Sequence, residues 1–299
     1  MRFASGVTIA VSILGAGGGE LDMRIVGGLE ARPQSFPWII SLQQDNSHFC
    51  SGSLVRAGAR NESDIVLTAA HCVADGHAGF TATAGAHDLT QPTSGQLTVR
   101  VLKAVMHPSY NPYTAMNDIA VLKLERPIHF VGGATAGSCG QTPITPRPNG
   151  FSPVHQLSPG AVIQPICLPT VGEVVPDDVE VTVAGWGLTT EGGDMSRVLM
   201  QVGVPTINFL IVNTRYLQVG SHLDPRAVFG AGYAKGGKDV CLGDGGGPLV
   251  LKNTRGYALQ GITTFSNGCA RPGLPGLYTR VSNYIPWINM QIKSLSSVK

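Results

Sequence analysis

The chain has few charged residues for its length of 299, and its net charge is small. Asp, Glu, Lys and Arg together make up 13% of the residues, and the formal net charge is +2. Proteins that bind nucleic acid or an acidic membrane surface through charge need a strong positive excess. The composition therefore predicts that neither nucleic acid nor a membrane is a partner.

The N-terminal region has no apolar run long enough to cross a bilayer, which takes about 20 residues. Residues 3–14 are largely apolar but contain three hydroxyl side chains, and they lie between Arg2 and the small residues at 15–19. This order is typical of a secretory signal peptide. We predict a signal peptide over residues 1–19 and a secreted, extracellular protein, with a membrane anchor as the alternative.

The sequence also lacks Cys-x-x-Cys spacing. Its six cysteines therefore favour disulfides formed in an oxidising compartment over a zinc site. Glycine and proline are abundant, with 39 and 20 residues. That composition is typical of a loop-rich β protein rather than a helical bundle.

Four short motifs follow one another along the chain. They are Arg-Ile-Val-Gly-Gly at 24–28, Thr-Ala-Ala-His-Cys at 68–72, Asn-Asp-Ile-Ala at 117–120 and Gly-Asp-Gly-Gly-Gly-Pro at 243–248. In this order they resemble the chymotrypsin/trypsin family of serine proteases, over nearly all of residues 25–299. The resemblance implies an all-β fold of two antiparallel six-stranded β-barrels with a cleft between them. Apolar residues at Ile285, Ile288 and Ile292 have helical spacing and predict a C-terminal helix packed on the second barrel.

The resemblance assigns catalytic roles to single residues. It makes His71 the general base and Asp118 the carboxylate that orients it. Gly245 stands where the family has its nucleophilic serine, and glycine has no side-chain oxygen with which to attack a carbonyl. The backbone amides of Gly243 and Gly245 match the oxyanion hole, which needs no side chain.

We therefore predict a secreted serine protease homologue that is not an enzyme and acts by binding. Its expected partner is a protease, a substrate or an inhibitor of a proteolytic cascade, so that it serves as decoy, cofactor or regulator. It is expected to be a monomer without cofactors. The alternative is an active trypsin-like serine endopeptidase that cleaves after Arg or Lys, if Gly245 is a sequence error. A structural or adhesive module is a third hypothesis, but the chain shows no repeats or added domains.

The resemblance also implies a substrate pocket. Asp239 stands where trypsin-like proteases place the acid that selects Arg or Lys, and a carboxylate in an apolar slot favours a cation. Gly276 matches the glycine that keeps this pocket open. The rim differs, because Phe265 stands where a Trp is usual and Ser266 replaces a glycine that pairs with substrate. The side chain of Ser266 is expected to narrow the pocket mouth.

Arg24 and Ile25 resemble the activation site of trypsin-like zymogens. Residues 20–24 are therefore predicted to be a short activation propeptide, and 25–299 the protease-like domain. Cleavage after Arg24 would free the amine of Ile25, which in the family pairs with the acid at Asp244. A buried carboxylate is costly unless a cation meets it, so this pairing is physically reasonable.

Two disulfides are implied by the resemblance, and a third is left open. The implied pairs are Cys50 with Cys72 and Cys241 with Cys269, while the pairing of Cys139 and Cys167 is open. Two further bridges of the family are missing as whole pairs. Val181 and Leu251 replace one pair of half-cystines, and Val212 and Gly230 replace the other.

Residues 131–161 form an insertion relative to the family. The segment has six glycines, five prolines and no periodicity, so it is predicted to be a flexible surface loop. It is either an exosite or untranslated sequence included in the chain by error, and the sequence leaves both open.

Two remaining motifs concern modification and metal binding. Asn61 begins an N-glycosylation sequon. The loop that starts at Gly85 matches the beginning of a segment that binds calcium in some trypsins. It offers Gln91, Thr93 and Gln96 in place of the carboxylates that a hard cation prefers, so we predict no metal.

Overall fold

The computed structural model describes residues 25–76, 79–114, 116–131, 139–142, 162–264 and 266–296. The predicted signal peptide, the predicted propeptide, most of the insertion and Phe265 lie outside these residues. No helix within the described ranges is long and apolar enough to span a membrane.

Strands dominate the described chain, and helices are few. In chain order the elements are β1 (Leu29–Glu30), β2 (Ile39–Gln44), β3 (Ser47–Val55), β4 (Glu62–Thr68), α1 (His71–Ala74), β5 (Thr81–Ala84), β6 (Leu97–Met106), β7 (Ala120–His129), β8 (Glu180–Gly185), β9 (Met200–Ile207), α2 (Phe209–Leu217), β10 (Val228–Ala231), β11 (Pro248–Asn253), β12 (Gly256–Thr263), β13 (Gly276–Arg280) and α3 (Val281–Ser296).

The first half of the chain forms a closed antiparallel barrel with the strand order β2-β3-β4-β7-β6-β5. Its strands are rich in β-branched and other large apolar residues, which suit a pleated and buried surface. Ile40, Leu54 and Leu67 are fully buried in the core that these strands share. The barrel ends place the loops after β4 and before β7 next to each other, since these two strands pair.

The second half forms a seven-stranded sheet, β1-β9-β10-β13-β12-β11-β8, in which β8 also pairs with β9. This extra pairing closes six strands into a second barrel and leaves β1 attached to β9. Burial alternates along β9, where Met200, Val202 and Val204 face the core and the residues between them are half-buried. The predicted fold of two six-stranded antiparallel barrels is confirmed.

Helix α3 closes the chain, as the apolar spacing predicts, with Ile285 and Ile288 buried. It packs against β12 of the second barrel, as expected, and also against β7 of the first barrel. Pro286 lies inside the helix and has no N–H for the carbonyl of Ser282. That carbonyl accepts from the backbone N–H of Gly172 at 3.1 Å instead.

All six cysteines are paired. The bridges are Cys50–Cys72, Cys139–Cys167 and Cys241–Cys269. The two pairs implied by the resemblance are therefore present. The open question is answered as well, because Cys139 and Cys167 bond to each other across 4.9 Å between their Cα atoms.

Apolar packing takes the place of the two missing bridges. Val181 is fully buried, and Leu251 packs against the same core cluster of the second barrel. Val212 covers Gly230, where an added Cβ would lie 2.8 Å from Val212 Cγ2. The small glycine thus makes room for the valine.

Within the insertion, the described residues Cys139–Thr142 contact the second barrel, while the flexible surface loop over residues 131–161 stays a prediction. Gly140 accepts a hydrogen bond from the N–H of Tyr257 at 2.8 Å, and Gln141 Nε2 donates to the carbonyl of Arg255 at 2.5 Å. A Cβ at Gly140 would collide with the backbone of Tyr257.

Candidate active site

The described structure brings His71 and Asp118 together between the barrels. His71 begins α1 and Asp118 lies just before β7, so both come from the first barrel. His71 Nδ1 donates to Asp118 Oδ2 at 2.7 Å, and the backbone N–H of His71 donates to Asp118 Oδ1 at 2.8 Å. The hydroxyl of Thr264, from the second barrel, donates to Oδ2 as well. Asp118 is 1% exposed, and its carboxylate accepts three hydrogen bonds.

The imidazole of His71 retains the character of a base. Burial alone would lower the pKa of His71, but the hydrogen bond and the charge of Asp118 outweigh it and raise that pKa. Its side chain is 36% exposed, so the ring borders the cleft while Asp118 does not. This arrangement can take a proton from a nucleophile placed beside Nε2.

Gly245 lies against the imidazole. An added Cβ at Gly245 would lie 2.5 Å from His71 Nε2 and 3.5 Å from Cys50 Sγ. The ring therefore rests closer to the backbone than any side chain at 245 would allow. A residue larger than glycine at this position requires the imidazole to move away, which its partial exposure permits.

The predicted oxyanion hole consists of the backbone amides of Gly243 and Gly245. Within the described residues, the N–H groups of Gly243 and Gly245 donate no hydrogen bond. The carbonyl groups of the same residues are held, since Gly245 accepts from the N–H of Ser51 at 2.8 Å and Gly243 accepts from His48 Nε2 at 3.1 Å. The two amides themselves are held through the carbonyls of their own peptide groups, since Leu242 accepts from the N–H of Leu188 at 2.7 Å and Asp244 accepts from that of Gly247 at 2.9 Å.

His48 is a supporting residue that the sequence reasoning missed, because no motif marks it. Its Nδ1 lies 2.8 Å from Ser41 Oγ, and its ring packs edge-on against Trp186. Burial lowers the pKa of His48 to about 4, while the hydrogen bond to Gly243 opposes this shift. The ring is therefore neutral at physiological pH and donates from Nε2 to the Gly243 carbonyl.

Asp239 is buried, with 1% of its surface exposed. It accepts from the N–H groups of Val240 at 2.8 Å and Ala270 at 3.2 Å. Burial raises the pKa of Asp239 to about 7, and the nearby charge of Asp244 adds to this, while backbone hydrogen bonds oppose it. An added Cβ at Gly276 would lie 2.5 Å from Asp239 Oδ1, so only glycine leaves room for this carboxylate.

The hydroxyl of Tyr278 lies near the carboxylate of Asp239. Its hydroxyl is fully buried and has no hydrogen-bond partner among the described residues. The added Cβ at Gly276 would lie 3.0 Å from this hydroxyl, which therefore sits close to Asp239. An orphaned hydroxyl beside a buried carboxylate suits a polar ligand group at this position.

The rim residue Ser266 is half-buried, and its hydroxyl donates to the carbonyl of Gly268 at 2.6 Å. The side chain is thus tied to its own loop. Glu191 pairs with Arg271 at the neighbouring exposed surface and also accepts from the N–H of Cys269 at 3.3 Å. This ion pair links two loops that are far apart in sequence, and the sequence reasoning missed it.

Asp244 is completely buried and accepts from the backbone N–H groups of Gly187 at 2.8 Å and Cys241 at 2.9 Å. Burial raises the pKa of Asp244 to about 6, against the effect of these two hydrogen bonds. Ile25 is also fully buried, in the core of the second barrel. Its φ of 48° is unusual and strained for a β-branched residue. Arg24 lies outside the described residues.

Asn61 is exposed at the start of β4, and its Nδ2 donates to the carbonyl of Phe130 at 3.2 Å. The sequon serine, Ser63, is buried and donates to the carbonyl of Val55 at 2.5 Å. The acceptor asparagine is therefore at the surface, and its glycosylation stays a prediction.

Among the described residues, the side chains of Cys50, His71 and Cys72 are close enough together to suggest a metal site. The two cysteines form a disulfide, so their sulfur atoms are not available as thiolate ligands. The grouping follows from the disulfide beside the imidazole. The prediction that the chain needs no metal stays a prediction.

Two barrels with a histidine–aspartate pair at their junction define a protein of the serine protease class. A protein-family model for trypsin matches residues 25–288, and the chain belongs to the trypsin family. It is 31% identical over 289 residues to Ovochymase-2 from Mus musculus, covering 92% of this chain and 42% of that protein. It is 34% identical over 268 residues to Transmembrane protease serine 9 from Rattus norvegicus, covering 89% of this chain and 22% of that protein. The chain thus spans less than half the length of either relative.

Proposed function

We propose that this member of the trypsin family is a secreted, catalytically inactive homologue that acts by binding. The observation that carries the proposal is Gly245, which meets His71 Nε2 without a side-chain oxygen. Loss of the serine in a protease of this chemistry lowers turnover by about 10⁶ and leaves only about 10³–10⁴ over water. Such residual turnover is too slow to serve as proteolysis.

The surroundings of Gly245 support a role in binding. Asp118 keeps its hydrogen bonds to His71. The carboxyl group of Asp239 and the unpaired hydroxyl of Tyr278 together form a polar site that suits a cationic side chain. We assign to the chain a protein partner from a proteolytic cascade, which is a protease, a substrate or an inhibitor with an exposed Arg or Lys. The chain acts on it as a monomeric decoy, cofactor or regulator.

Secretion rests on the signal peptide predicted at residues 1–19, and three disulfides agree with an extracellular location. One of the relatives carries the word transmembrane in its name. We therefore base the location on this chain's own residues.

The proposal is tested by restoring the nucleophile. The wild type and Gly245→Ser are cleaved after Arg24 by an added protease, repurified and assayed with Arg and Lys ester and amide substrates. We expect no labelling of the wild type by an organophosphate, and labelling plus turnover several orders of magnitude higher in Gly245→Ser. The imidazole must move to accommodate the serine, so recovery below that of an ordinary trypsin is expected.

The matched control is Gly245→Ser combined with His71→Ala, which has the serine but no base. This double variant should lose the turnover that the single variant gains. Organophosphate labelling of the wild type, or wild-type turnover equal to that of Gly245→Ser, would overturn the proposal.

An active endopeptidase is the second candidate, favoured by the intact pair of His71 and Asp118 and by the free amides of Gly243 and Gly245. It requires a serine at position 245 in the natural protein. Sequencing of genomic DNA and transcript at this codon decides between the two candidates, since a serine codon supports only the second.

A further inference from the structure

A second cleft lies on the second barrel, and His71, Asp118, Gly245 and Asp239 take no part in it. Its volume is about 390 Å³. Its lining includes the segment that begins with Gly27 and residues from β8, β9 and β11. On β8, Val181 and Val183 face the barrel core. Because side chains alternate along a strand, Glu180 and Thr182 point to the other face of the sheet, where they line the cleft.

The cleft is lined by three cations and one anion. Arg32, Lys238 and Lys252 line it together with Glu180, and all four are exposed. Within the described chain, none of the three cations forms an ion pair. Three unpaired positive charges around one concave surface attract an anionic ligand.

The ammonium groups of Lys238 and Lys252 each lie near an aromatic ring. Lys252 Nζ lies 5.9 Å from the ring centre of Tyr257, which also lines the cleft, and Lys238 Nζ lies 5.6 Å from that of Tyr233. Such contacts restrict a flexible side chain and leave its charge available. Less conformational entropy is then lost when a ligand binds.

The remaining lining is mixed. Leu29 and Phe36 contribute apolar surface, and Thr182 and Gln201 contribute hydrogen-bonding groups. Apolar surface in the same cleft favours a ligand whose charges are separated by apolar groups. Glu180 opposes a densely charged polyanion, because like charges repel within the same cleft.

We propose that this cleft binds an acidic peptide segment of a partner protein, with carboxylates separated by apolar side chains. The proposal does not depend on the chemistry at Gly245. The wall formed by Gly27 is fixed closely, because an added Cβ there would collide with the carbonyl of Gly237 and lie 2.8 Å from Lys238 Cγ. The site therefore includes the segment that follows the predicted cleavage after Arg24.

The test measures binding of a fluorescent, acetylated and amidated hexapeptide of alternating Glu and Leu to the full chain by fluorescence anisotropy. We expect specific binding that weakens as salt rises from 50 to 500 mM, since exposed charges are then screened. Lys238→Gln and Lys252→Gln should each weaken binding about two- to fivefold, the range for exposed ion pairs. Glu180→Gln should tighten it by a similar factor.

Lys103→Gln is the matched control, because Lys103 is an exposed lysine of the first barrel and should not alter binding. Melting temperatures show that each variant is folded. Equal binding of the matching Gln–Leu peptide, or no effect of the Lys238, Lys252 and Glu180 changes, would overturn the proposal. Preferential binding of heparin over the peptide would point to a polysaccharide instead and would also overturn it.

One further outcome concerns the chain's own acidic residues. Glu20 and Asp22 flank a leucine within a few residues of Gly27 in the sequence. If the peptide binds only to the Glu20→Gln, Asp22→Asn variant, the chain's own acidic segment occupies the cleft in the wild type. This result would overturn the proposal of an external partner.

Discussion

At the scale of single residues, the protonation of Asp239 decides what its pocket attracts. Burial raises the pKa of Asp239 to about 7, so both forms are present near neutral pH. The carboxylate attracts a cation and the neutral acid does not. We therefore expect the affinity for benzamidine, measured calorimetrically on cleaved protein, to rise as the pH rises through 7 and to level off about one unit above it.

The control for this titration is Asp239→Asn, which keeps one of the two oxygen acceptors for the backbone N–H groups of Val240 and Ala270 but carries no charge. Its affinity should be weak and independent of pH. At a hundredfold excess over Kd, benzamidine should stabilise the wild type by about 2.7 kcal/mol. A wild-type affinity that does not change between pH 6 and 8 would show that Asp239 does not contact the ligand.

Short motifs were sufficient to single out His71, Asp118 and Gly245, which the structure places side by side, while their catalytic roles stay predictions. It was not sufficient for residues whose role depends on distant contacts. His48 bonds to the carbonyl of Gly243, 195 positions away, and no local pattern encodes that contact. The orphaned hydroxyl of Tyr278 is likewise a property of packing rather than of sequence.

At the scale of elements, α2 and β10 meet where the family has a disulfide. The Cβ of Val212 lies 3.4 Å from an ideal Cβ at Gly230, close to the spacing of about 3.8 Å in disulfides. The double variant Val212→Cys, Gly230→Cys should therefore oxidise and gain about 2–4 kcal/mol in its free energy of unfolding. Chemical denaturation with and without dithiothreitol measures this gain, which should disappear on reduction.

Gly230→Ala alone serves as the comparison for that bridge. Its new methyl group would lie 2.8 Å from Val212 Cγ2, and overpacking of this kind costs about 1–3 kcal/mol. The disulfide at position 230 should therefore raise the free energy of unfolding, whereas alanine alone should lower it. A stabilised Gly230→Ala variant would contradict the close packing described for this contact.

Elements differ in how well the sequence predicts them. The spacing of Ile285 and Ile288 correctly predicted α3, because periodicity shows which face is buried. It could not show that β7 as well as β12 covers this face. The composition of the insertion predicts mobility, but composition cannot show that Cys139–Thr142 are held by a disulfide and by a turn that only glycine fits.

At the scale of the whole molecule, cleavage after Arg24 should change how stability depends on pH. Burial raises the pKa of Asp244 to about 6 in the folded chain, above the ordinary value of 3.8. Between these values the folded state binds more protons, so its free energy of unfolding falls as the pH rises. The charged amine of Ile25, once freed, should lower this pKa and recover about 2–3 kcal/mol at pH 7.

The measurement compares melting temperatures of cut and uncut protein at pH 4.5 and pH 7. The increase on cleavage should be small at pH 4.5, where Asp244 is neutral in the uncut chain, and larger at pH 7. Arg24→Gln, treated with the same protease, is the control and should show no change. An equal increase at both pH values would contradict the pairing of Ile25 with Asp244.

The hydrogen bonds around Asp118 have a consequence for mutational tolerance. Its carboxylate accepts a hydrogen bond from the hydroxyl of Thr264, and its backbone carbonyl accepts one from the hydroxyl of Thr279 at 2.8 Å. Both threonines belong to the second barrel. Asp118 therefore fastens the two barrels whether or not any bond is cleaved. In a variant library sorted only by the amount of folded protein, nearly all substitutions of Asp118 should be depleted, because they leave the hydroxyl of Thr264 and the N–H of His71 without their acceptor. Many substitutions at the partly exposed His71 should persist. Asp118 can thus be retained under selection for folding alone.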